Sequence, residues 1–237
     1  MPAAIATLST RPFPHYEEVP MLGHERAGVD LVFEDHGGTL GVVPHLRVSL
    51  EAYVALLDEL VVKVAHARFT PNQIVAITFG GAIPGRALSQ ALHIPIAYHG
   101  AESYVPADEA DRLRMQPGTD VLFARDLITT RPGFGAKVLI VDDLADTGRT
   151  FTQTIAWLRR HPSYGPGIQE IQTACLWRKT HSQFQPNVEV DLVKRVTLPE
   201  TRERKMPWID QPLEQLYAVS VDVIETRIAR RASGTLP

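Results

Sequence analysis

KVLIVDDLADTGRT, residues 137–150, is the stretch that organises the rest of the chain. Residues 138–141 form a short apolar run rich in β-branched side chains, which predicts a strand covered on both faces, as in a parallel sheet. Asp142 and Asp143 follow at the carboxyl end of this strand. Because ligands of open α/β sheets bind at that edge, we expect the two carboxylates to meet sugar hydroxyls or a metal ion.

The turn behind the two acids leads into a helix. The backbone N–H groups of a first helical turn have no intrahelical partner, and the positive end of the helix dipole lies behind them. Gly148 lets the backbone approach an anion closely, and the Thr147 and Thr150 hydroxyls can donate to its oxygens. The turn therefore predicts a site for a phosphate monoester. The residues assigned to this site are Ala145, Asp146, Thr147, Gly148, Arg149 and Thr150.

The strand, the acid pair and the Asp-Thr-Gly-x-Thr turn together resemble the signature of the type I phosphoribosyltransferases, which bind 5-phosphoribosyl 1-pyrophosphate (PRPP). Two other interpretations are a buried strand whose acids only cap a helix, and the acidic strand end of a phosphoacceptor domain. A phosphoacceptor would need only the acids and not the turn behind them. The resemblance implies a doubly wound, mainly parallel α/β sheet. It also implies that Asp142 and Asp143 hold the ribose, directly or through Mg²⁺, and that Asp146 is the general base.

The composition favours one large α/β domain with additions, since the chain has 237 residues, of which 44% are hydrophobic and 22% charged. A net charge of −3 gives no general attraction to nucleic acid or to an anionic membrane, so the expected partners are small molecules. The single cysteine, Cys175, fits a reducing compartment. No apolar stretch is long enough to cross a membrane, and no signal-peptide pattern is recognisable. We expect a cytoplasmic protein.

The first 48 residues are expected to contain little regular secondary structure. Residues 1–22 have no periodicity and predict an extended or disordered arm, and residues 30–43 predict a β-hairpin around a Gly-Gly turn. Residues 1–48 are therefore an extension, and residues 49–237 form the phosphoribosyltransferase domain. Ser49 is the expected N-cap of its first helix, and residues 213–232 predict a C-terminal helix.

A second anion site is predicted where the strand at residues 74–79 runs into a glycine pair before a helix. It resembles the pyrophosphate loop of the family. The purine enzymes usually carry Lys or Arg before the two glycines, whereas this chain has Phe79, so Arg86 or another subunit would have to supply the cation. The resemblance also implies a cis peptide bond between Thr78 and Phe79. The residues assigned to this loop are Thr78, Phe79, Gly80, Gly81 and Arg86.

Residues 101–119 are polar and aperiodic, which predicts a loop. This loop occupies the place of the flexible catalytic loop of the family. Its Ser103 and Tyr104 resemble the Ser-Tyr pair of the hypoxanthine-guanine enzymes. A mobile surface loop without catalytic contacts is the alternative. A return strand is predicted over residues 120–125.

The base site is predicted near the end of the chain. The strand at residues 168–177 ends at Arg178 and Lys179, and this LWRK sequence resembles the strand whose lysine contacts the purine O6 in xanthine-guanine phosphoribosyltransferases. PWIDQPLE, residues 207–214, resembles the base-covering hood of the same enzymes, although Leu213 replaces its second aromatic residue. The resemblance implies that Trp208 stacks on the base and that Ile209 contributes a backbone contact. The predicted hood spans residues 175–212.

These features predict a Mg²⁺-dependent transferase that moves the phosphoribosyl group of PRPP to N9 of guanine, xanthine or hypoxanthine. The resemblance further implies a homodimer or homotetramer. A non-catalytic regulator that senses PRPP is the second interpretation, because Phe79 departs from the enzymes. Residues 1–48 contain no helix-turn-helix pattern, however, and few basic residues. A phosphoribosyltransferase acting on a pyrimidine or another base is the third.

Overall fold

The computed structural model describes residues 26–37, 41–106, 115–129, 133–212 and 225, and gives only the backbone of residues 102–106 and 115–120. The arm predicted for residues 1–22 lies outside these ranges, as does the predicted C-terminal helix apart from Glu225, which is helical. In chain order, the elements are β1 (Val29–Asp35), β2 (Val42–Val48), α1 (Leu50–His66), β3 (Gln73–Thr78), α2 (Ala82–Leu92), β4 (Ile96–Pro106), β5 (Met115–Phe123), β6 (Lys137–Ala145), α3 (Arg149–Arg160), β7 (Glu170–Lys179), β8 (Val188–Val193), β9 (Val196–Thr197), β10 (Arg204–Lys205) and β11 (Trp208–Asp210).

The main sheet has six strands in the order β5-β4-β3-β6-β7-β8, with only β5 antiparallel to its neighbour. Side chains alternate along β6. Leu139 and Val141 join the hydrophobic cluster under α1 and α2, whereas Val138 and Ile140 join the cluster under α3. Helices therefore cover both faces, and the predicted doubly wound, mainly parallel α/β sheet is confirmed.

Helix α1 begins as its sequence predicts. The Ser49 side chain accepts a hydrogen bond from the Ala52 N–H at 3.1 Å, which satisfies one of the free donors of the first turn. The helix buries a stripe of apolar side chains at helical spacing against the sheet. Within the described ranges, no helix combines the length and the hydropathy that a transmembrane span requires.

A second, smaller sheet has the order β1-β2-β11. Where a hairpin is predicted over residues 30–43, β1 and β2 pair antiparallel from Val29↔Val48 to Asp35↔Val42, so the second strand extends to Val48, beyond the predicted end. Strand β11 then pairs parallel with β2. Residues 208–210 of the predicted hood are thus a strand. It is anchored to the hairpin by backbone pairing that no local pattern in the sequence encodes.

The prediction of a loop over residues 101–119 is wrong in part. Residues 101–106 lie in β4 and residues 115–119 lie in β5, and the two strands pair antiparallel with a register shift between Glu102 and Tyr104. The return strand accordingly begins at Met115 and not at Asp120. Backbone hydrogen bonds hold a pair at the edge of a sheet without requiring an apolar period, so the aperiodic composition misled the prediction.

Candidate functional site

The acid pair lies at the carboxyl end of β6, where the sequence places it. Asp142 is buried, and its Oδ1 accepts a hydrogen bond from the Asp143 N–H at 3.0 Å. Burial raises the pKa of Asp142 well above its usual range, and the charge of Asp143 adds to this effect. Burial also raises the pKa of Asp143, although the Gln211 side-chain amide, which donates to Asp143 Oδ2, opposes the shift.

These two carboxylates fit a magnesium ion. Their ligand atoms are all carboxylate oxygens, which Mg²⁺ prefers. Burial makes the negative charge of the two acids costly, and the Gln211 amide, which is neutral, does not balance that charge. The loop after β3 packs directly against them. A Cβ on Gly80 would overlap the Asp143 carboxylate, and one on Gly81 would overlap the Val141 carbonyl oxygen. Glycine at both positions therefore lets the loop lie beside the acids.

The predicted cis peptide bond between Thr78 and Phe79 is present. Phe79 points into solvent with 91% of its surface exposed. Arg86 is exposed on α2 and makes no hydrogen bond or ion pair with the part of the chain that the structure describes. The glycines thus lie beside the acid pair, whereas the structure shows no contact that brings Arg86 to the loop.

Asp146, the predicted general base, lies in the turn after β6 between the side chains of Lys179 and His181. Its Oδ2 is 3.1 Å from Lys179 Nζ, and its Oδ1 is 2.8 Å from His181 Nε2. Lys179 is 95% buried, a position that lysine rarely occupies unless a partner balances its charge. The strand end that presents Lys179 therefore also positions Asp146.

Trp208 completes this group from the hood. Lys179 Nζ lies 5.8 Å from the centroid of the Trp208 ring, within the range of a cation–π contact. The ring is 41% exposed, so part of its surface is available to a planar ligand. Ile209 is buried next to it in β11, at the register position of Leu46. The structure thus brings together Asp146, Lys179 and Trp208, which are 62 positions apart in sequence at the extremes.

The predicted phosphate turn, residues 145–150, lies between β6 and α3. Gly148 has φ +81°, a conformation that favours glycine, and it stands immediately before α3 without a side chain that could cap the helix. Phe184 packs against Gly148 so closely that a Cβ there would overlap it, and its ring stacks on Phe151 with the centroids 5.1 Å apart. Phe184 therefore covers one side of the turn at the start of α3, where the first N–H groups of a helix lack intrahelical partners.

Sequence reasoning missed His181 and Phe184. The signal for His181 was present, because it follows Lys179 by two residues at the same strand end. Phe184 lies in an irregular segment with no periodic pattern, so nothing local indicated its contact with Gly148. Ser103 and Tyr104 lie in β4, with Tyr104 paired to Pro117, and their role at the site stays a prediction.

Comparison with known proteins gives a family and a fold. The family described as "Phosphoribosyl transferase domain" matches residues 49–203. A purine phosphoribosyltransferase from Pyrococcus horikoshii Ot3 is 21% identical over 73% of this chain and 96% of its own, with a TM-score of 0.52. A hypothetical protein from Neisseria gonorrhoeae with bound ppGpp is 18% identical over 78% and 94%, with a TM-score of 0.50.

A xanthine-guanine-hypoxanthine phosphoribosyltransferase from Helicobacter pylori is 20% identical over 77% of this chain and 97% of its own, with a TM-score of 0.45. No curated protein sequence matches significantly. At 21% and 18% identity, the Pyrococcus horikoshii and Neisseria gonorrhoeae structures show a shared fold and do not determine which base is used.

Proposed function

Because the chain belongs to the phosphoribosyl transferase domain family, we propose that it transfers the 5-phosphoribosyl group of PRPP to N9 of a 6-oxopurine and releases pyrophosphate. The observation that carries this proposal is the contact of buried Lys179 with both Asp146 and the Trp208 ring. A lysine ammonium has three donors and no acceptor, so it suits the O6 of guanine, xanthine or hypoxanthine. Adenine would place an amino group there, donor against donor.

Asp146 is proposed as the general base. A purine seated between Trp208 and Lys179 would bring N7 towards the Asp146 carboxylate. As N9 bonds to C1 of the ribose, the N7 proton passes to Asp146, and the electrons of the breaking C1–O bond leave with pyrophosphate. His181 and Lys179 hold the two carboxylate oxygens before the base arrives, and so they set the direction in which Asp146 faces.

The donor would lie along the carboxyl edge of the sheet. We assign its 5-phosphate to residues 145–150, where Gly148 and the start of α3 support an anion site. Asp142 and Asp143 would hold the ribose hydroxyls directly or through Mg²⁺, which would neutralise the leaving pyrophosphate when bound. Ser103 and Tyr104 are proposed to cover the donor from the β4–β5 pair, as in the family that they resemble.

We propose residues 49–237 as the catalytic domain, with residues 1–48 as an extension. The pairing of β2 with β11 supports a role for the hairpin in holding the hood. We also propose a homodimer or homotetramer, in which a basic side chain of another subunit could take the place of the cation that is missing at Phe79. The single thiol, Cys175, is buried and free, which supports the proposed cytoplasmic location.

One observation favours a second function. Phe79 leaves the pyrophosphate loop without a cation at that position, and Arg86 makes no described contact that would replace it. Weaker contact with pyrophosphate would suit a protein that binds PRPP as a signal and does not turn it over. Transfer to a different base is the third possibility.

The deciding experiment measures pyrophosphate release from PRPP and Mg²⁺ with guanine, xanthine, hypoxanthine, adenine and orotate. We expect turnover with 6-oxopurines and at least tenfold discrimination against adenine, since an unpaired buried donor costs about 1–3 kcal/mol and a charged donor such as the Lys179 ammonium costs more. PRPP binding without release would support the regulator. Equal use of adenine or orotate would contradict the assignment of the base site.

Two variants test the base site itself. Lys179→Ala should lower activity with 6-oxopurines and reduce the ratio of activity with guanine to activity with adenine, because the ammonium contacts only the substituent at the 6-position. Trp208→Ala should lower the affinity for all purines, because stacking does not distinguish the 6-substituent. Steady-state kinetics with guanine and adenine separates the two effects. Identical losses on both bases in the two variants would remove Lys179 from base recognition.

A further inference from the structure

A cluster of potential metal-ligating side chains lies on the small sheet rather than at the carboxyl end of β6. Glu34 belongs to β1, His36 follows that strand, and His45 belongs to β2. Since side chains alternate along a strand, Glu34 and His36 lie on one face, and the pairing of the hairpin puts His45 on the same face. The opposite face carries Leu46 into the hydrophobic core. The cluster is therefore built on paired backbone.

The ligand atoms of these residues lie within coordination range of one point. Nε2 of His36 and Nε2 of His45 are 3.0 Å apart, and Glu34 Oε2 is 3.7 Å from the first and 3.8 Å from the second. A point about 2.1 Å from all three atoms satisfies these distances, which is the length of a zinc–nitrogen or zinc–oxygen bond.

The surrounding side chains prepare two of these residues to bind a cation. The Asp210 carboxylate lies 3.1 Å from His45 Nδ1, and since a carboxylate only accepts, the proton belongs on Nδ1. Nε2 of the neutral ring then directs its lone pair at the cluster. A carboxylate behind a coordinating histidine is the usual outer partner of a zinc site. Arg47 donates to Glu34 Oε1 and leaves Oε2 for the ion.

We propose that Glu34, His36 and His45 form a binding site for a divalent transition-metal ion, of which Zn²⁺ fits the donors best. Two imidazoles and one carboxylate suit Zn²⁺, whereas Mg²⁺ prefers oxygen ligands alone. Only 9% of the His45 side chain is exposed, but 38% of the His36 side chain is, so an ion can enter from solvent and keep a water as its fourth ligand. This site is separate from the acid pair at the end of β6.

The site is coupled to the hood through one strand. Asp210, which orients His45, lies in β11 two residues after Trp208, and Trp208 occupies the register position opposite His45. A bound ion would fix His45 against Asp210, and so it would brace the strand that carries the Trp208 ring. The structural consequence is a hairpin and a hood held together by one ion.

Metal binding to the full chain tests the proposal. Protein without an affinity tag is stripped with a chelator and titrated with Co²⁺, whose visible absorption reports tetrahedral coordination, and Zn²⁺ is then added as competitor. We expect one ion per chain, displacement of Co²⁺ by Zn²⁺, and no displacement by excess Mg²⁺. Thermal unfolding should shift upward with Zn²⁺ concentration.

Variants assign the ion to its ligands. His36→Ala and Glu34→Gln should each weaken Co²⁺ binding at least tenfold, and Asp210→Asn should weaken it by about 10- to 100-fold through the lost outer partner. His66→Ala removes an exposed histidine at the end of α1 and should leave binding unchanged. His36 is exposed, so its removal should leave the circular dichroism spectrum unaltered. Absence of a stoichiometric ion, or wild-type affinity in His36→Ala, would overturn the proposal and leave a hydrogen-bonded histidine pair.

Discussion

Asp146 is the single residue on which the proposed chemistry depends most directly. Its two oxygens contact Lys179 and His181, so the carboxylate is held in place from both sides. Asp146→Asn keeps the size of the side chain but cannot accept a proton. We expect transfer to slow by about 10²-fold or more while the affinity for PRPP stays close to that of the wild type.

Single-turnover kinetics and a PRPP titration measure these two quantities for the Asp146 variant. Asp126→Asn is the matched control, because Asp126 is exposed and bonded to Tyr164 rather than to the site, and it should leave turnover unchanged. Unaltered transfer in Asp146→Asn would exclude this carboxylate as the base.

His99 is a buried residue whose protonation should affect stability. Its ring packs between Phe123 and Trp157, with centroids 5.1 and 4.2 Å away, and neither ring nitrogen has a hydrogen-bond partner among the described residues. Burial lowers the pKa of His99 to about 4 from the ordinary 6.5, and the charge of His161 adds to the shift. The contribution of the neutral His99 ring to the free energy of unfolding is therefore fully present above pH 6.5. It is lost as the pH falls towards 4, because the unfolded chain takes up the proton first.

His99→Phe removes this titration and the two unpaired nitrogen atoms. Between pH 7 and pH 4 the wild type should lose at most about 3 kcal/mol more than the variant from this residue. Urea denaturation at several pH values gives both curves. Parallel loss of stability in the two proteins would mean that the buried ring does not titrate in this range.

Individual site residues were predictable from the sequence where a motif placed them at a strand end. Asp142, Asp143 and Lys179 lie at the edge where ligands of α/β sheets bind. Phe184 could not be predicted, because its contact with Gly148 joins two segments that have no pattern in common. The tertiary fold alone puts them together.

At the scale of elements, the close approach of α2 to β3 depends on Gly85. A Cβ at this position would lie 2.6 Å from the Ala76 Cβ in β3, too close for two carbon atoms. Gly85→Ala should therefore push the helix off the sheet and cost about 1–3 kcal/mol of stability. Because α2 directly follows the proposed pyrophosphate loop, the affinity for PRPP should fall as well.

Gly167→Ala is the control for Gly85→Ala. A Cβ at Gly167 meets nothing within 4 Å, so this variant should unfold close to the wild-type urea concentration. Comparison of the two urea midpoints isolates the packing cost from the general effect of replacing glycine. Equal midpoints would show that the close contact between Gly85 and Ala76 does not restrict the side chain at position 85.

The elements themselves were predicted best where they carry an apolar period or an apolar run. The buried strands β3, β6 and β7 and the amphipathic helix α1 fall in this class. The β4–β5 edge pair and strand β11 do not, since both are held by backbone pairing, and the partner of β11 in addition lies far away in the sequence.

At the scale of the whole molecule, the hairpin and the hood share one core. Leu46 of β2 and Ile209 of β11 are 98% and 95% buried in the hydrophobic cluster that also packs α1 against the main sheet. Leu46→Ala should cost about 2–5 kcal/mol and should speed amide exchange in both β1 and β11. Hydrogen exchange followed by mass spectrometry measures the two segments separately.

Leu158→Ala is the control, because it truncates the same side chain in α3, which packs in the other hydrophobic cluster. Exchange that rises in both variants reports global unfolding and can be subtracted. After that correction, only Leu46→Ala should accelerate exchange in residues 208–210. Faster exchange in β1 without any change in β11 would show that the hood holds its position independently of the hairpin.

The parallel pairing of β2 with β11 has a consequence for synthesis. His45 and Asp210, which meet across this pair, are 165 positions apart. A ribosome adding about 5–20 residues per second needs roughly 10 to 30 s to bridge that interval. Throughout it, the edge of β2 that will receive β11 has no native partner, and an open edge can pair with other chains. The nascent hairpin therefore keeps this edge open until residues 208–210 have been synthesised.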